Sequence, residues 1–122
     1  MVKILLAEDD QFIRDIYTEI LQDEKYDVVT AADGREALNK IKQGGWDIVL
    51  LDILMPKMTG LEILQKLKSF KKNSLAKHIL VMTNNEETSD LEDVKDMYDD
   101  YVLKSSLTPG ELLEKIKHVL KD

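Results

Sequence analysis

The chain has 122 residues, no cysteine and a formal net charge of −7 at pH 7. This length predicts one domain spanning residues 1–122, and the lack of cysteine excludes disulfides and thiolate metal sites while favouring a reducing cytoplasm. The acidic charge disfavours direct binding to nucleic acid, and the lack of a long apolar run disfavours a membrane helix, so we expect a soluble cytoplasmic protein.

Five short apolar runs are the predicted strands. Ile, Leu and Val dominate each run. The runs are too short for helices, and their continuous rather than alternating hydrophobicity is typical of a parallel sheet that is covered on both faces. In chain order they occupy residues 2–7, 28–31, 48–51, 79–82 and 101–103.

A segment with one apolar face at helical spacing follows each run, and the pattern is weakest in the fourth, at Leu91, Val94 and Tyr98. Asp33 is predicted to cap the second helix and Thr108 the fifth. The order is therefore βα repeated five times. With right-handed crossovers, this order predicts an α/β fold with a doubly wound, five-stranded parallel sheet in the strand order 2-1-3-4-5.

Acidic residues follow two of the predicted strands: Glu8 and Asp9 come after the first, and Asp52 comes after the third. The switch point of this strand order lies between these two strands, and ligands bind outside the carboxyl ends of strands there. Carboxylates gathered at an apolar core need a compensating cation, and oxygen ligands without nearby histidine or cysteine suit Mg²⁺. We therefore predict a magnesium site. Asp10 is instead interpreted as the N-cap or first-turn acid of the first helix.

A carboxylate can also accept a phosphoryl group when a phosphodonor and a divalent ion are aligned with it. Asp52 is the better acceptor candidate, because it stands alone after its strand. Phosphoryl transfer also needs groups that stabilise charge on the transferred oxygens. Thr83 ends the fourth predicted strand and Lys104 follows the fifth, so a hydroxyl and an ammonium should face the same crevice.

Together these residues resemble the receiver domain of two-component response regulators, in its stand-alone, chemotaxis-type form, over essentially the whole chain. The resemblance rests on the acidic pair after the first strand and on Asp52 in Leu-Leu-Asp-Ile-Leu-Met-Pro-Lys-Met-Thr-Gly. It also rests on Thr83, Tyr101 and Lys104. It implies a (βα)5, flavodoxin-like fold.

The resemblance implies a phosphoacceptor at Asp52, which would receive its phosphoryl group from a phosphohistidine. The donor would be a sensor histidine kinase or a histidine phosphotransfer protein. Asp9 and Asp52 would bind Mg²⁺ directly, Glu8 would bind it through water, and the backbone carbonyl of Leu54 would complete the protein ligands.

The resemblance also implies a switch. Lys104 would hold one phosphoryl oxygen, and Thr83 would move toward another while Tyr101 turns inward. This movement would alter the surface of the fourth helix, fifth strand and fifth helix for a downstream protein target or onward relay. We expect a monomer, with dimer formation on phosphorylation as the alternative, and no enzyme beyond its own Mg²⁺-dependent phosphorylation and slow autodephosphorylation.

The chain departs from the usual receiver pattern at three places, one of which is Asn84, where the family usually has a smaller residue and which lies outside the residues that the structure describes. Lys104 is followed by Ser105, where receivers usually have a proline joined through a cis peptide. A cis bond before serine would cost about 3–4 kcal/mol, which favours a trans bond here and leaves the placement of Lys104 as the open point of the resemblance. Met97 and Tyr98 replace a glycine that is common before strand five, so we expect an unusual end to the fourth helix.

Two other functions compete with a phosphoacceptor. Phosphatases of the haloacid dehalogenase type also pair an Asp nucleophile with Mg²⁺, but they need a second acid where this chain has Leu54, which cannot act as a general acid. A phosphorylation-independent protein-interaction module with a receiver fold is the stronger alternative, and it is favoured by Ser105 and by the missing glycine before strand five. The complete set of acids, threonine and lysine favours a working phosphoacceptor.

Overall fold

The computed structural model describes residues 1–71, 73–83 and 85–121, with the backbone alone at residues 85–90 and 106. In this part of the chain, five strands form one sheet: β1 Lys3–Ala7, β2 Asp27–Ala31, β3 Trp46–Asp52, β4 Ala76–Thr83 and β5 Asp100–Leu103. Their order is β2-β1-β3-β4-β5, and all neighbours are parallel. The predicted doubly wound sheet is confirmed, and each predicted strand overlaps an observed one.

The connecting α-helices begin at the caps that the sequence indicates. They are α1 Gln11–Asp23, α2 Gly34–Lys42, α3 Gly60–Leu67 and α4 Pro109–Leu120, the last being the fifth predicted helix. The side chain of Asp33 caps α2, and that of Thr108 forms a capping box with Glu111 at the start of α4. None of the helices in the described ranges has the length and hydrophobicity needed to cross a bilayer.

The connection between β4 and β5 adopts 3₁₀ rather than α geometry. It runs over Asn85–Met97 and leaves helical geometry at Val94, where φ is −120° and ψ is 17°. This is the segment with the weakest apolar periodicity, with Leu91 and Val94 buried in its second half. The stability of an α-helix in a protein comes mainly from the packing of its apolar face. Because the apolar face of this segment is short, the backbone can adopt the tighter 3₁₀ geometry. The unusual end expected there is confirmed, and the departure extends over the whole segment.

The sheet has an apolar layer on each face. Leu5 and Val49 face the layer formed by α2, α3 and the 3₁₀ segment. Ile4 and Ile48, their chain neighbours, face the layer formed by α1 and α4. Successive strand residues thus enter opposite cores, which explains the continuous apolar runs. Apolar packing on both faces of the sheet therefore holds the carboxyl ends of the strands in place.

Candidate functional site

The candidate site lies at the edge where the carboxyl ends of β1, β3, β4 and β5 meet. Glu8 directly follows β1, Asp52 ends β3, Thr83 ends β4, and Lys104 directly follows β5. The register places Asp52 opposite Met82, one residue before Thr83. The strand order therefore brings these residues together from four distant parts of the chain, beside the switch point between β1 and β3.

Three carboxylates form the centre of the site. One oxygen from each of Glu8, Asp9 and Asp52 lies within 4.8 Å of the others. Glu8 and Asp52 are buried, with Asp52 only 2% exposed, whereas Asp9 is exposed. This arrangement leaves the cluster open to solvent on the Asp9 side. Oxygen ligands from few protein groups with an open side are what a hydrated Mg²⁺ prefers.

Lys104 forms ion pairs with the two buried carboxylates, those of Glu8 and Asp52. Its Nζ atom lies 2.9 Å from Oε1 of Glu8 and donates a hydrogen bond of 3.0 Å to Oδ2 of Asp52. The contact with Glu8 is an ion pair without well-directed hydrogen-bond geometry. The peptide bond between Lys104 and Ser105 is trans, the isomer that the cost of a cis bond before serine favours. The ammonium therefore reaches the site without the cis bond that is usual in receivers.

The proton affinity of Asp52 is strongly perturbed. Burial is the largest cause, and the neighbouring Glu8 adds to it, so that the pKa of Asp52 is raised to about 8 although Lys104 opposes the shift. For Lys104 itself, burial disfavours the charge, but the two carboxylates outweigh burial and raise its pKa. One ammonium thus does not balance the carboxylates around it.

The turn that carries the acidic pair is held by hydrogen bonds from several elements. The backbone N–H of Glu8 donates to the carbonyl oxygen of Ala31 at the end of β2 (3.1 Å). Oε2 of Glu8 accepts from the N–H of Asp10 (3.1 Å), and Oδ1 of Asp10 accepts from the N–H of Ile13. Asp10 is therefore the N-cap of α1, as interpreted from the sequence, and its carboxylate is engaged at the helix start.

The loop after Asp52 is attached to the start of α2. The carbonyl oxygen of Pro56 accepts from the N–H of Met58 (2.8 Å) and from that of Gly34 (3.1 Å). Lys57, which lies between Pro56 and Met58 in the chain, has a φ of 70°, so these three residues form a γ-turn of the rare positive-φ kind. A Cβ on Gly34 would lie 1.7 Å from the carbonyl oxygen of Met58. We missed from the sequence that Gly34 allows this loop to approach α2. The one signal in the sequence is that glycine, a poor helix former, directly follows the helix cap Asp33.

Leu54 contributes its backbone to the same loop. Its N–H donates to Oδ1 of Asp52 (3.3 Å), so both oxygens of Asp52 have a donor, one from Leu54 and one from Lys104. The Leu54 side chain is 53% exposed. That the Leu54 carbonyl oxygen binds Mg²⁺ stays a prediction.

The two residues predicted to form the switch lie in different environments. Thr83 is fully buried at the end of β4, beside the carboxylates. Tyr101 lies on β5 opposite Val81, and its side chain is 42% exposed. The structure thus brings Glu8, Asp9, Asp52 and Lys104 into one site with Thr83 at its border, whereas Tyr101 is outside it.

Residues 4–117 match the response regulator receiver domain. The chain belongs to this family. Solved receiver domains have the same fold: response regulator TrrA of Thermotoga maritima, solved in complex with Mg²⁺ and BeF, is 39% identical with a TM-score of 0.84 over 98% of this chain and 99% of that one. The chemotaxis response regulator CheY4 of Vibrio cholerae is 32% identical with a TM-score of 0.84, over 98% of both chains.

A curated relative of this receiver domain is longer than the chain. The transcriptional regulatory protein SrrA of Staphylococcus aureus is 28% identical over 119 residues, which are 98% of this chain and 48% of that protein. The chain spans about half the length of the curated relatives it matches. Receiver domains are not classical enzymes, and this argues against a phosphatase of the haloacid dehalogenase type.

Proposed function

We propose that residues 1–122 act as one phosphoacceptor domain of a cytoplasmic two-component system, with Asp52 as the acceptor and Mg²⁺ as the cofactor. The observation that carries the proposal is the convergence of three carboxylates within 4.8 Å, with Lys104 hydrogen-bonded to Oδ2 of Asp52. A sensor histidine kinase or a histidine phosphotransfer protein supplies the phosphoryl group.

Magnesium is supported by the charge and by the ligand chemistry of the site. Glu8, Asp9 and Asp52 would hold it, with the Leu54 carbonyl as the additional predicted ligand. Carboxylate oxygens suit a hard cation, and one ammonium leaves negative charge uncompensated. TrrA, which is 39% identical, was solved with Mg²⁺ and BeF. A divalent ion bound here would neutralise charge on the phosphoryl oxygens and align donor and acceptor.

The acceptor step needs a deprotonated and oriented carboxylate. A carboxylate oxygen of Asp52 forms the bond to phosphorus while the bond from phosphorus to the donor imidazole nitrogen breaks. The N–H of Leu54 and the ammonium of Lys104 orient the two Asp52 oxygens. Lys104 is close enough to follow the transferred group and donate to one of its oxygens, and the Thr83 hydroxyl is the other donor we assign.

Phosphorylation would act on the surface through Thr83 and Tyr101. The phosphoryl group adds about two negative charges and strong acceptor oxygens, which attract the hydroxyl of Thr83. Tyr101 then turns from its exposed position toward the space next to β4. Beside Tyr101, Asp100 of β5 pairs with Lys115 of α4 (2.5 Å), so a rearrangement of β5 is communicated to α4. This surface is the proposed contact for a downstream protein.

We assign the binding of the phosphodonor protein to exposed apolar side chains of this chain. Phe12 and Ile16 lie one turn apart on α1, the helix that begins directly after the acidic pair, and Phe12 is 67% exposed. Leu54 adds an exposed apolar side chain next to Asp52. Contiguous exposed apolar side chains are typical of protein-binding surfaces, and we assign Phe12, Ile16 and Leu54 to such a surface.

The proposal is tested with a small phosphodonor. The protein is incubated with phosphoramidate or acetyl phosphate and Mg²⁺, and its intact mass is followed beside an Asp52→Asn variant and a sample with EDTA. We expect a mass gain of one phosphoryl group that requires both Mg²⁺ and Asp52. No gain in wild-type protein, with no binding of Mg²⁺ by calorimetry, would instead support a phosphorylation-independent interaction module.

A further inference from the structure

Arg14 contacts the backbone of both acidic residues in the turn after β1. Its Nη1 atom donates to the carbonyl oxygen of Glu8 (2.8 Å) and lies 3.3 Å from that of Asp9, to which it also donates. Arg14 is the fourth residue of α1, and its own N–H donates to the carbonyl oxygen of Asp10 (2.9 Å). Its side chain therefore turns back past the start of its own helix.

This position is electrostatically unfavourable for a cation unless something compensates. The start of a helix carries the positive end of the helix dipole, and basic residues are preferred at the opposite end. The carbonyl oxygens of Glu8 and Asp9 provide that compensation for Arg14. Hydrogen bonds from a charged donor are about twice as strong as neutral ones.

The contact fixes the direction of the acidic side chains. Residue 8 is attached to β2 through the N–H of Glu8 and the carbonyl oxygen of Ala31. Arg14 attaches the next two carbonyl groups along the chain to α1. With the carbonyls on both sides of its Cα fixed, the Cα–Cβ bond of Asp9 has a fixed direction, and Asp9 is the exposed member of the three clustered carboxylates. Without Arg14, Asp9 would have to be ordered when the metal binds.

We propose that Arg14 is a positioning residue for the metal site, which it prepares by fixing the backbone of Glu8 and Asp9. The proposal rests on the function proposed above, because it assigns Arg14 to the same magnesium site. Partners outside the ligand shell that orient metal ligands typically contribute 10–100-fold to metal affinity. Arg14 acts on metal affinity and leaves Asp52 and Lys104, which contact the phosphoryl group, in place.

The test compares Arg14→Ala with Arg35→Ala. Arg35 is the matched control, because it is exposed and lies in the first turn of α2, at the same edge of the sheet. The Kd for Mg²⁺ is measured by calorimetry without phosphodonor, and the rate of phosphorylation by phosphoramidate is measured as a function of Mg²⁺ concentration. We expect Arg14→Ala to raise the half-saturating Mg²⁺ concentration about 10-fold or more, with the rate at saturating Mg²⁺ close to wild type, and Arg35→Ala to change neither.

An Arg14→Lys variant keeps the proposal testable if Arg14→Ala does not fold. Its ammonium keeps the charge and can donate to a carbonyl oxygen, but its stem is shorter, so its half-saturating Mg²⁺ concentration should fall between those of wild type and Arg14→Ala. A half-saturating concentration equal to that of Arg35→Ala would overturn the role of Arg14. So would a lower saturating rate with unchanged Mg²⁺ dependence. Failure of wild-type protein to be phosphorylated would instead count against the proposed function itself.

Discussion

The Nζ atom of Lys104 lies 3.0 Å from Oδ2 of Asp52, and the same ammonium lies 2.9 Å from Oε1 of Glu8. Two buried carboxylates thus share one cation. Because burial outweighs this cation, the pKa of Asp52 rises to about 8. A proton or a metal ion is needed to complete the charge balance.

We expect Asp52→Asn to stabilise the metal-free protein at pH 8. The pKa of Asp52 is higher in the folded than in the unfolded state, so the folded state binds more protons between about pH 4 and 8. The stability that this carboxyl contributes is therefore lost as the pH rises through that range. Asparagine removes this dependence, so its gain in free energy of unfolding over wild type should grow with pH in this range, by at most about 1.4 kcal/mol per pH unit.

Urea unfolding in EDTA at pH 5 and pH 8 measures this effect, with Asp33→Asn as a control of opposite sign. Backbone hydrogen bonding at the start of α2 is the main cause that lowers the pKa of Asp33. Asp33 therefore stabilises the protein above its unfolded pKa, and Asp33→Asn should destabilise it at pH 8. A gain from Asp52→Asn that is the same at both pH values would contradict the assigned cause.

Mg²⁺ should stabilise the wild-type protein through Asp9. A ligand present at ten times its Kd raises the free energy of unfolding by about 1.4 kcal/mol. Thermal unfolding with MgCl₂, compared with NaCl at equal ionic strength, measures the gain. Asp9→Asn should lose most of it, whereas Asp15→Asn, an exposed acid further along α1, should keep it. Equal gains in both variants would mean that Mg²⁺ binds elsewhere.

Gly34→Ala should destabilise the protein, because the added Cβ would lie 1.7 Å from the carbonyl oxygen of Met58. Backbone must move to relieve this clash, and overpacking of this kind costs about 3 kcal/mol. Gly110→Ala is the matched control, since a Cβ there meets nothing within 4 Å. Gly110 lies in the first turn of α4, where alanine is neutral or stabilises by up to about 1 kcal/mol. Chemical denaturation compares the two variants.

Tyr101 should become protected when a phosphoryl mimic binds. Its side chain is 42% exposed in the structure, and the proposed switch turns it inward. Incorporation of 3-fluorotyrosine and ¹⁹F NMR with and without Mg²⁺ and beryllofluoride would report its environment. We expect the Tyr101 resonance to shift and that of Tyr26, at the opposite end of the sheet, to stay in place. An unchanged Tyr101 resonance would remove Tyr101 from the switch.

The sheet and its caps could be predicted because their signals are local. Continuous apolar runs indicate buried parallel strands, and the caps at Asp33 and Thr108 lie where their residue types predict them. Once the strand order is known, the convergence of Glu8, Asp52 and Lys104 follows from the carboxyl ends of parallel strands. The trans bond after Lys104 also follows from a local energy difference.

The remaining features depend on contacts between distant parts of the chain. The 3₁₀ geometry of Asn85–Met97 is a balance between weak propensity and tertiary packing, which periodicity does not reveal. The contact of Gly34 with Met58 depends on how closely α2 approaches the loop after β3. The contact of the Arg14 side chain with the carbonyl oxygens of Glu8 and Asp9 depends on the side-chain rotamer of Arg14. The sequence does not reveal this rotamer, because an arginine that points to solvent would occupy the same position in the sequence.

The shared acceptor at Pro56 restricts how the chain between Asp52 and α3 can change in length. One carbonyl oxygen uses both of its lone pairs on Met58 and Gly34, and a further bond joins the N–H of Gly60 to the carbonyl oxygen of Ile53 (2.7 Å). An insertion or deletion of a single residue here would break all three bonds together. Most surface loops accept such changes easily. We therefore expect natural and engineered variants to keep the length of this loop even where its side chains differ.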